Sequence, residues 1–302
     1  MPARACRASA APVLRGAKRP APALVARDAT MDNRRAIPAR EPSRAAFDPL
    51  APRTMHASFR SCLRLLPILA MLLAAREALA VDHDILWKRI SGQCLPNYQA
   101  RESYSPCAFV DTAHGYVLYK VDRDPYQYLL LPSERVTGIE DPRLAAPGTP
   151  NYFWYAWQAR ALLAEKLGKP LRETDIALTV NAENARTQNQ LHIHISCLEP
   201  KVRAMLDTLE PGKLGDDWFA LPGRIGWHSY MARKIDAADL AHTDPFALVR
   251  EKLATEHEPL AYTGVALVKL DARRFLVLAA TGNALLGVPA EEMQDHRCRI
   301  AG

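Results

Sequence analysis

Between Gln190 and Ser196 the chain reads Gln-Leu-His-Ile-His-Ile-Ser, a strict alternation of polar and apolar residues. On a β-strand alternate side chains share a face, so Leu191, Ile193 and Ile195 turn toward a core while Gln190, His192, His194 and Ser196 line the other surface. One histidine in a strand is most often a satisfied structural residue. Two in an ordered polar row point to chemistry. One such chemistry is metal binding, since His-x-His presents two nitrogens to a single ion; Glu199, Asp207 and His228 are possible further ligands, although no spacing marks them. The other is nucleophilic attack on phosphorus. A neutral imidazole is a good nucleophile near pH 7 and its phosphoryl adduct hydrolyses readily, with no metal or other cofactor required.

The polar loop before the row, Asn181 to Asn189, offers Asn181, Arg186, Thr187 and Gln188 as groups that could hold phosphate oxygens. Arg186 reads equally well as a solvated loop charge. Further on, Gly-Trp-His-Ser-Tyr-Met-Ala-Arg, residues 226–233, follows a Pro/Gly loop and offers His228 and Arg233, again with a purely structural reading beside the functional one. Trp154 and Trp157 are expected to pack a helix rather than stack on a base.

The elements that must position these groups form an α+β alternation. Gly115–Val121 and Gln127–Leu131 read as a hairpin around Asp122-Arg123-Asp124-Pro125. Asn151–Leu167 reads as one largely buried helix. Ile176–Val180 and Gln190–Ser196 read as strands, a short helix follows Pro200 to about Leu209, and Asp244 is the expected N-cap of another helix. Tyr262–Leu270 and Arg274–Ala280 form a second hairpin. Gly115-Tyr-Val-Leu-Tyr-Lys-Val-Asp and Gly264-Val-Ala-Leu-Val-Lys-Leu-Asp match at Lys120/Lys269 and Asp122/Asp271, which suggests a duplicated half-domain whose second copy has lost its catalytic strand. Hairpins often resemble each other over so short a window, and the two readings carry equal weight.

Upstream of this body the composition changes. Residues 1–54 are rich in Ala, Pro and Arg, with 11 Lys/Arg against 4 Asp/Glu, and lack the apolar content to offset ordering entropy; disorder and an over-extended start are expected. Met55 opens a second N-terminus: Arg60 and Arg64 precede the 11-residue apolar run Leu65–Ala75, and Ala78-Leu79-Ala80 follows. This is the pattern of a signal peptide over residues 55–80, or of a short membrane anchor if uncut, the run falling below the roughly 20 residues of a comfortable span. The chain carries +6, and removing residues 1–80 leaves residues 81–302 at −3. A body of that sign is not a general nucleic-acid-binding surface.

Four of the six cysteines, Cys94, Cys107, Cys197 and Cys298, fall in the body, an even number that suits two disulfides in an exported domain. Of three possible pairings we favour Cys94–Cys107, across a polar, Pro-containing loop with little else to hold it, and hence Cys197–Cys298.

A strand of alternating His and apolar residues preceded by Asn and a Gln-rich turn is similar to the signature of the histidine-triad nucleotide hydrolases and transferases. The body, essentially residues 87–298, resembles bacterial CDP-diacylglycerol pyrophosphatases through the blocks CLPN, SPCA, GYVLYK, QYLLLP, TPNYFWYAWQAR, RTQNQLHIHISC, PFALV and EEMQDHRC. The resemblance implies a histidine-triad-like antiparallel sheet with packed helices and hydrolysis of CDP-diacylglycerol to CMP and phosphatidate. It also implies a place on the periplasmic side of the inner membrane, anchored or peripheral, where the lipid substrate is the partner. By position, His192 takes the triad's middle, nucleophilic place and His194 the third, while Gln190 replaces the first histidine and cannot donate a proton as an imidazolium would. Asn181 matches the family's Asn before the turn. Thr187 falls where a phosphate-binding Ser usually sits, although the turn is about two residues short, and Gln127 sits where many triad proteins have another His. The alternatives are a soluble nucleotidyl transferase or dinucleoside hydrolase, and an exported non-catalytic metal- or nucleotide-binding module.

Overall fold

The computed structural model describes residues 82–302. The expectations for residues 1–54 and for the export segment 55–80 lie outside the described residues. Within them, no helix is long and apolar enough to cross a membrane.

Nine strands form one antiparallel sheet: β1 (Phe109–Asp111), β2 (Tyr116–Lys120), β3 (Tyr128–Pro132), β4 (Ile176–Val180), β5 (Ile193–Cys197), β6 (Phe219–Ile225), β7 (His228–Asp236), β8 (Thr263–Lys269) and β9 (Arg274–Thr281). Their order across the sheet is β1-β2-β3-β5-β4-β8-β9-β7-β6. Six helices pack on it: α1 (Ile85–Arg89), α2 (Leu95–Arg101), α3 (Tyr152–Gln158), α4 (Ala161–Leu167), α5 (Pro200–Leu206) and α6 (Pro245–Glu256).

The period-2 pattern sorts the side chains between two faces. On one face Leu118, Leu130, Leu178, Leu191, Ile193, Ile195, Leu267 and Val277 meet Phe153, Trp157, Leu163, Phe246 and Val249 of α3, α4 and α6. The opposite face carries two separate apolar zones. Val117, Tyr119, Leu129 and Leu131 pack against Ile90 and the Cys94–Cys107 bridge. Ala266, Leu276, Leu278 and Ala280 pack against Val202 and Leu206 of α5 and against Val288 and Met293. Between these zones lie His194 and Ser196 of β5, Thr179 of β4 and His192, which immediately precedes β5, all buried.

The sheet is internally repeated. In the first half the chain runs β2, β3, the α3–α4 pair, β4, β5, and the strands lie in the order β2-β3-β5-β4. In the second it runs β6, β7, α6, β8, β9, and they lie as β6-β7-β9-β8. The two halves meet where Leu178 of β4 faces Leu267 of β8. The duplication is therefore real at the level of topology, but the expected correspondence is not. The hairpin β8–β9 answers to β4–β5, not to β2–β3, so the Lys120/Lys269 match is a coincidence of hairpin chemistry. Nor is the catalytic strand lost: its counterpart is β9, which reads Arg-Phe-Leu-Val-Leu-Ala-Ala-Thr and holds no histidine.

Three further expectations need correction. The helix over 151–167 is two helices: Asn151 is the N-cap, accepting from the Trp154 amide, and the chain tightens at Ala159-Arg160, where the amides of Arg160, Leu162 and Leu163 reach back only three residues. The Arg160 guanidinium donates to the Trp157 carbonyl and so serves the end of α3. The stretch between Cys94 and Cys107 is not simply a loop, because α2 occupies Leu95–Arg101 and follows α1 through a wider helical turn over Ile90–Cys94. Finally, β5 begins at Ile193 rather than Gln190. Its neighbour β3 ends at Pro132, which has no N–H to continue the ladder, and the Leu191 amide turns instead to the Val136 carbonyl. The Asp244 cap is as expected, accepting from the Phe246 amide.

Candidate active site

His192 and His194 project from the start of β5 on the face away from α3, with 8% and 6% of their surface exposed and ring centroids 4.7 Å apart, edge to face. The two rings are held differently. Nδ1 of His192 lies 2.6 Å from the carbonyl oxygen of Gln190. A carbonyl only accepts, so Nδ1 carries the proton and Nε2 keeps its lone pair. Burial, followed by repulsion from His194, pulls the His192 pKa down to about 3, which keeps the ring neutral.

His194 is set by a carboxylate. Its Nδ1 lies 3.1 Å from Oε1 of Glu291, so Nδ1–H donates to Glu291 and Nε2, which has no protein partner, faces the polar zone. Burial alone would raise the Glu291 pKa, but the charge and hydrogen bond of His194, with further bonds from Asn181 and Gln127, hold it well below the usual carboxylate range. Asn181, just past the end of β4, fixes this carboxylate from both ends of its amide. Nδ2 donates to Glu291 Oε2 at 2.9 Å, and Oδ1 accepts from the Glu291 backbone amide at 3.0 Å.

Behind them a polar chain runs to the surface. Asp124 accepts from Nδ1 of His296 at 2.5 Å. The tautomer this fixes leaves His296 Nε2 as an acceptor for the Gln127 amide at 3.0 Å, and the second proton of that amide goes to Glu291 Oε1 at 2.6 Å. The chain Asp124–His296–Gln127–Glu291–His194 thus has a donor and an acceptor at every joint. Gln127 enters it where the resemblance places a histidine.

The C-terminal segment that delivers Glu291 is bound directly to β5 and its exit. The Asp295 amide donates to the Cys197 carbonyl, the Glu199 amide to the Met293 carbonyl, and Gln294 bridges the carbonyls of Ala177 and His194. The Cys197–Cys298 bridge closes the same contact covalently. Glu291 and His296 were not singled out in the sequence. Their only signal there is the block EEMQDHRC, one of several along the body and the last.

The remaining expected site residues fall into two groups. Near the pair, Gln190 does not line a phosphate-facing row: its Nε2 donates to the carbonyls of Pro132 and Glu134, and so braces the end of β3. Arg186 lies close enough to add to the depression of the His192 pKa, but its guanidinium makes a two-pronged pair with Glu140 at 2.6 and 2.8 Å. Thr187 and Gln188 hold the incoming chain, the Thr187 carbonyl meeting His83, and Gln188 accepting from the Leu86 amide while donating to the Asp82 carbonyl. Elsewhere, His228 donates to Glu292, next in sequence to Glu291. Arg233 sits on β7, four strand spacings or about 19 Å from β5, beside Glu251. Glu199 and Asp207, the further metal ligands considered, are paired with Arg299 and Arg203. Among the described residues, no three His, Cys, Asp or Glu side chains are grouped as an ion would need them.

The site thus sets one neutral imidazole, hydrogen-bonded to a backbone carbonyl, beside a second imidazole tied to a buried carboxylate. Residues 81–302 match the CDP-diacylglycerol pyrophosphatase family over their whole length. The chain belongs to that family. Its members are hydrolases that cleave the pyrophosphate of CDP-diacylglycerol. Among solved structures, the chain is similar to a DUF4931-family protein from Bacillus cereus, with 11% identity over 61% of this chain and 88% of that one and a TM-score of 0.38.

Proposed function

We propose that the chain hydrolyses CDP-diacylglycerol through a nucleotidyl-histidine on His192. The observation that carries this reading is the 2.6 Å hydrogen bond from His192 Nδ1 to the Gln190 carbonyl. With the depressed pKa, it leaves a neutral ring whose free nitrogen, Nε2, is the nucleophile. In the first step, that lone pair forms a bond to the CMP phosphorus and the bond to the bridging oxygen breaks, releasing phosphatidate. His194 gives a proton from Nε2 to the departing oxygen while Glu291 supports the positive ring from the other side. In the second step, water attacks the phosphorus, its proton passes to His194, the P–N bond breaks and CMP leaves. Both histidines return to their starting states.

Asn181 acts through Glu291, which it holds at both the carboxylate and the backbone amide. A compartment outside the cytoplasm suits the two disulfides, and the periplasmic side of the inner membrane is where the lipid substrate would be met.

The test is to quench turnover of CDP-diacylglycerol labelled in the CMP phosphate and recover protein carrying acid-labile, base-stable label. The label should vanish in His192→Ala. Full activity with no label at any quench time would instead favour direct attack by water.

A further inference from the structure

Among the described residues, five large apolar side chains are strongly exposed: Ile85 at 48%, Tyr104 at 37%, Trp227 at 86%, Leu285 at 91% and Leu286 at 70%. Tyr104 is stacked on Tyr98 and packs against Phe109. The other four lie at one end of the sheet. The register shows why. β4 ends at Val180 beside Val265, near the start of β8; Thr263 of β8 faces Thr281 at the end of β9; and β7 begins at His228 on the same side. Trp227 is the tip of the β6–β7 hairpin and Leu285-Leu286 the tip of the loop leaving β9, while His192 enters β5 at this same end.

Both loops are fastened to the active-site frame. Gly226 takes a left-handed φ of +54°, and a side chain there would run into the Glu292 carboxylate, so the hairpin tip sits against the residue that follows Glu291. Asn184, three residues after Asn181, donates to the carbonyls of Asn283 and Ala284. Ile85 rides on the segment that Gln188 ties to the loop before His192. The charge pattern is one-sided: residues 222–229 contain Arg224 and no carboxylate, and residues 281–288 contain no charge at all.

We propose that Trp227, Leu285 and Leu286, with Arg224 behind them and Ile85 alongside, form a rim that seats the protein on the surface of an anionic lipid bilayer with the His192 site turned toward the headgroups. The proposal rests on the reading of the substrate as a membrane lipid. Interfacial Trp and loop leucines partition into the headgroup region, and the two loops that carry Trp227 and Leu285-Leu286, with one arginine and no carboxylate between them, suit its phosphates. A lipid with two acyl chains then need not leave the bilayer, because only its nucleotide must reach His192.

The test uses the full chain bound to unilamellar vesicles of phosphatidylethanolamine and phosphatidylglycerol that contain no CDP-diacylglycerol. The fluorescence of Trp227, taken as wild type minus Trp227→Phe, should move to the blue and be quenched by lipids brominated on the acyl chains. Emission that stays at the water-exposed wavelength on vesicle-bound protein overturns the proposal. In parallel, Leu285→Ser/Leu286→Ser should raise KM for CDP-diacylglycerol in vesicles by about tenfold or more, with kcat/KM on a water-soluble CDP-alcohol unchanged. No change, or an equal loss on both substrates, overturns it. A concentration-dependent dimer in solution that the same variants abolish would assign the rim to a second copy of the chain instead. Vesicle docking is read without turnover, so it stands or falls separately from the nucleotidyl-histidine.

Discussion

Glu291 accepts the Nδ1–H of His194 at 3.1 Å, and Asn181 grips both the side chain and the backbone of the same residue. His194 is thereby oriented and its charged form supported, which makes Glu291 the positioning residue of the site. Glu291→Gln keeps an acceptor but removes the charge, and should lower kcat by ~10²-fold with little change in KM. A loss confined to KM would show that Glu291 serves binding instead.

His192→Ala should abolish turnover and leave the fold intact, since the ring faces the polar zone rather than the main core. His194→Ala should retain measurable activity, reduced by ~10²–10⁴-fold. Chelators should leave the wild type unaffected. If both variants lost activity equally and chelation stopped the reaction, the two histidines would be metal ligands.

Gln190→His tests the place where the triad's first histidine is replaced. Gln190 donates to two backbone carbonyls, Pro132 and Glu134, and an imidazole cannot reproduce both bonds. The variant should lose about 1–2 kcal/mol of stability and keep kcat within a few-fold. Thermal melts and initial rates decide it, and a large loss of kcat without a fall in Tm would put Gln190 back among the catalytic groups.

The pH dependence of stability follows from His192 and Glu291. His192 has an ordinary value of 6.5 and a folded value of about 3, so as pH falls through 6.5 the unfolded chain takes up the proton first. Its contribution is complete above pH 6.5 and declines by about 1.4 kcal/mol per pH unit below it. Glu291, whose folded value lies below its ordinary 4.5, contributes fully above that value and loses its share only at lower pH. Tm should therefore fall from pH 6.5 downward. His192→Asn should flatten the slope between 6.5 and 4.5, and Glu291→Gln only the part below.

The two bridges should not be equivalent. Cys197 and Cys298 are separated by 101 residues and Cys94 and Cys107 by 13, so chain entropy values them at about 4–5 and about 3 kcal/mol, respectively. Cys298→Ser should also lower kcat, because it loosens the segment that carries Glu291. Cys107→Ser should leave kcat near wild type. Denaturant melts and rates at a temperature where both variants are folded separate these effects.

The strands were legible because their period survives burial: Leu191, Ile193 and Ile195 face one core and His192 and His194 the other side, as the alternation of residue types requires. The N-cap at Asp244 and the Cys94–Cys107 bridge were legible for local reasons, and that bridge left Cys197 to pair with Cys298. α1 and α2 were not, since Gly92 and Pro96 interrupt any helical period and the cysteines drew attention to the loop. The break at Ala159-Arg160 left no trace in the residue types either. The partner of His194 was hidden for a different reason. Glu291 and His296 come from a C-terminal segment with no period of its own, brought to β5 by backbone bonds and a bridge, and pairing across such a distance has no local signature.

That order of elements has a consequence for how the enzyme comes into being. A chain truncated after β5 already holds His192 and His194 but not the carboxylate that orients one of them, for the whole second copy of the repeat intervenes before Glu291. The histidine-bearing half is therefore not a minimal enzyme. During synthesis the site stays incomplete until Glu291 has emerged and settled beside β5, and a chain cut short before Glu291 would keep both histidines and lose the carboxylate that holds His194.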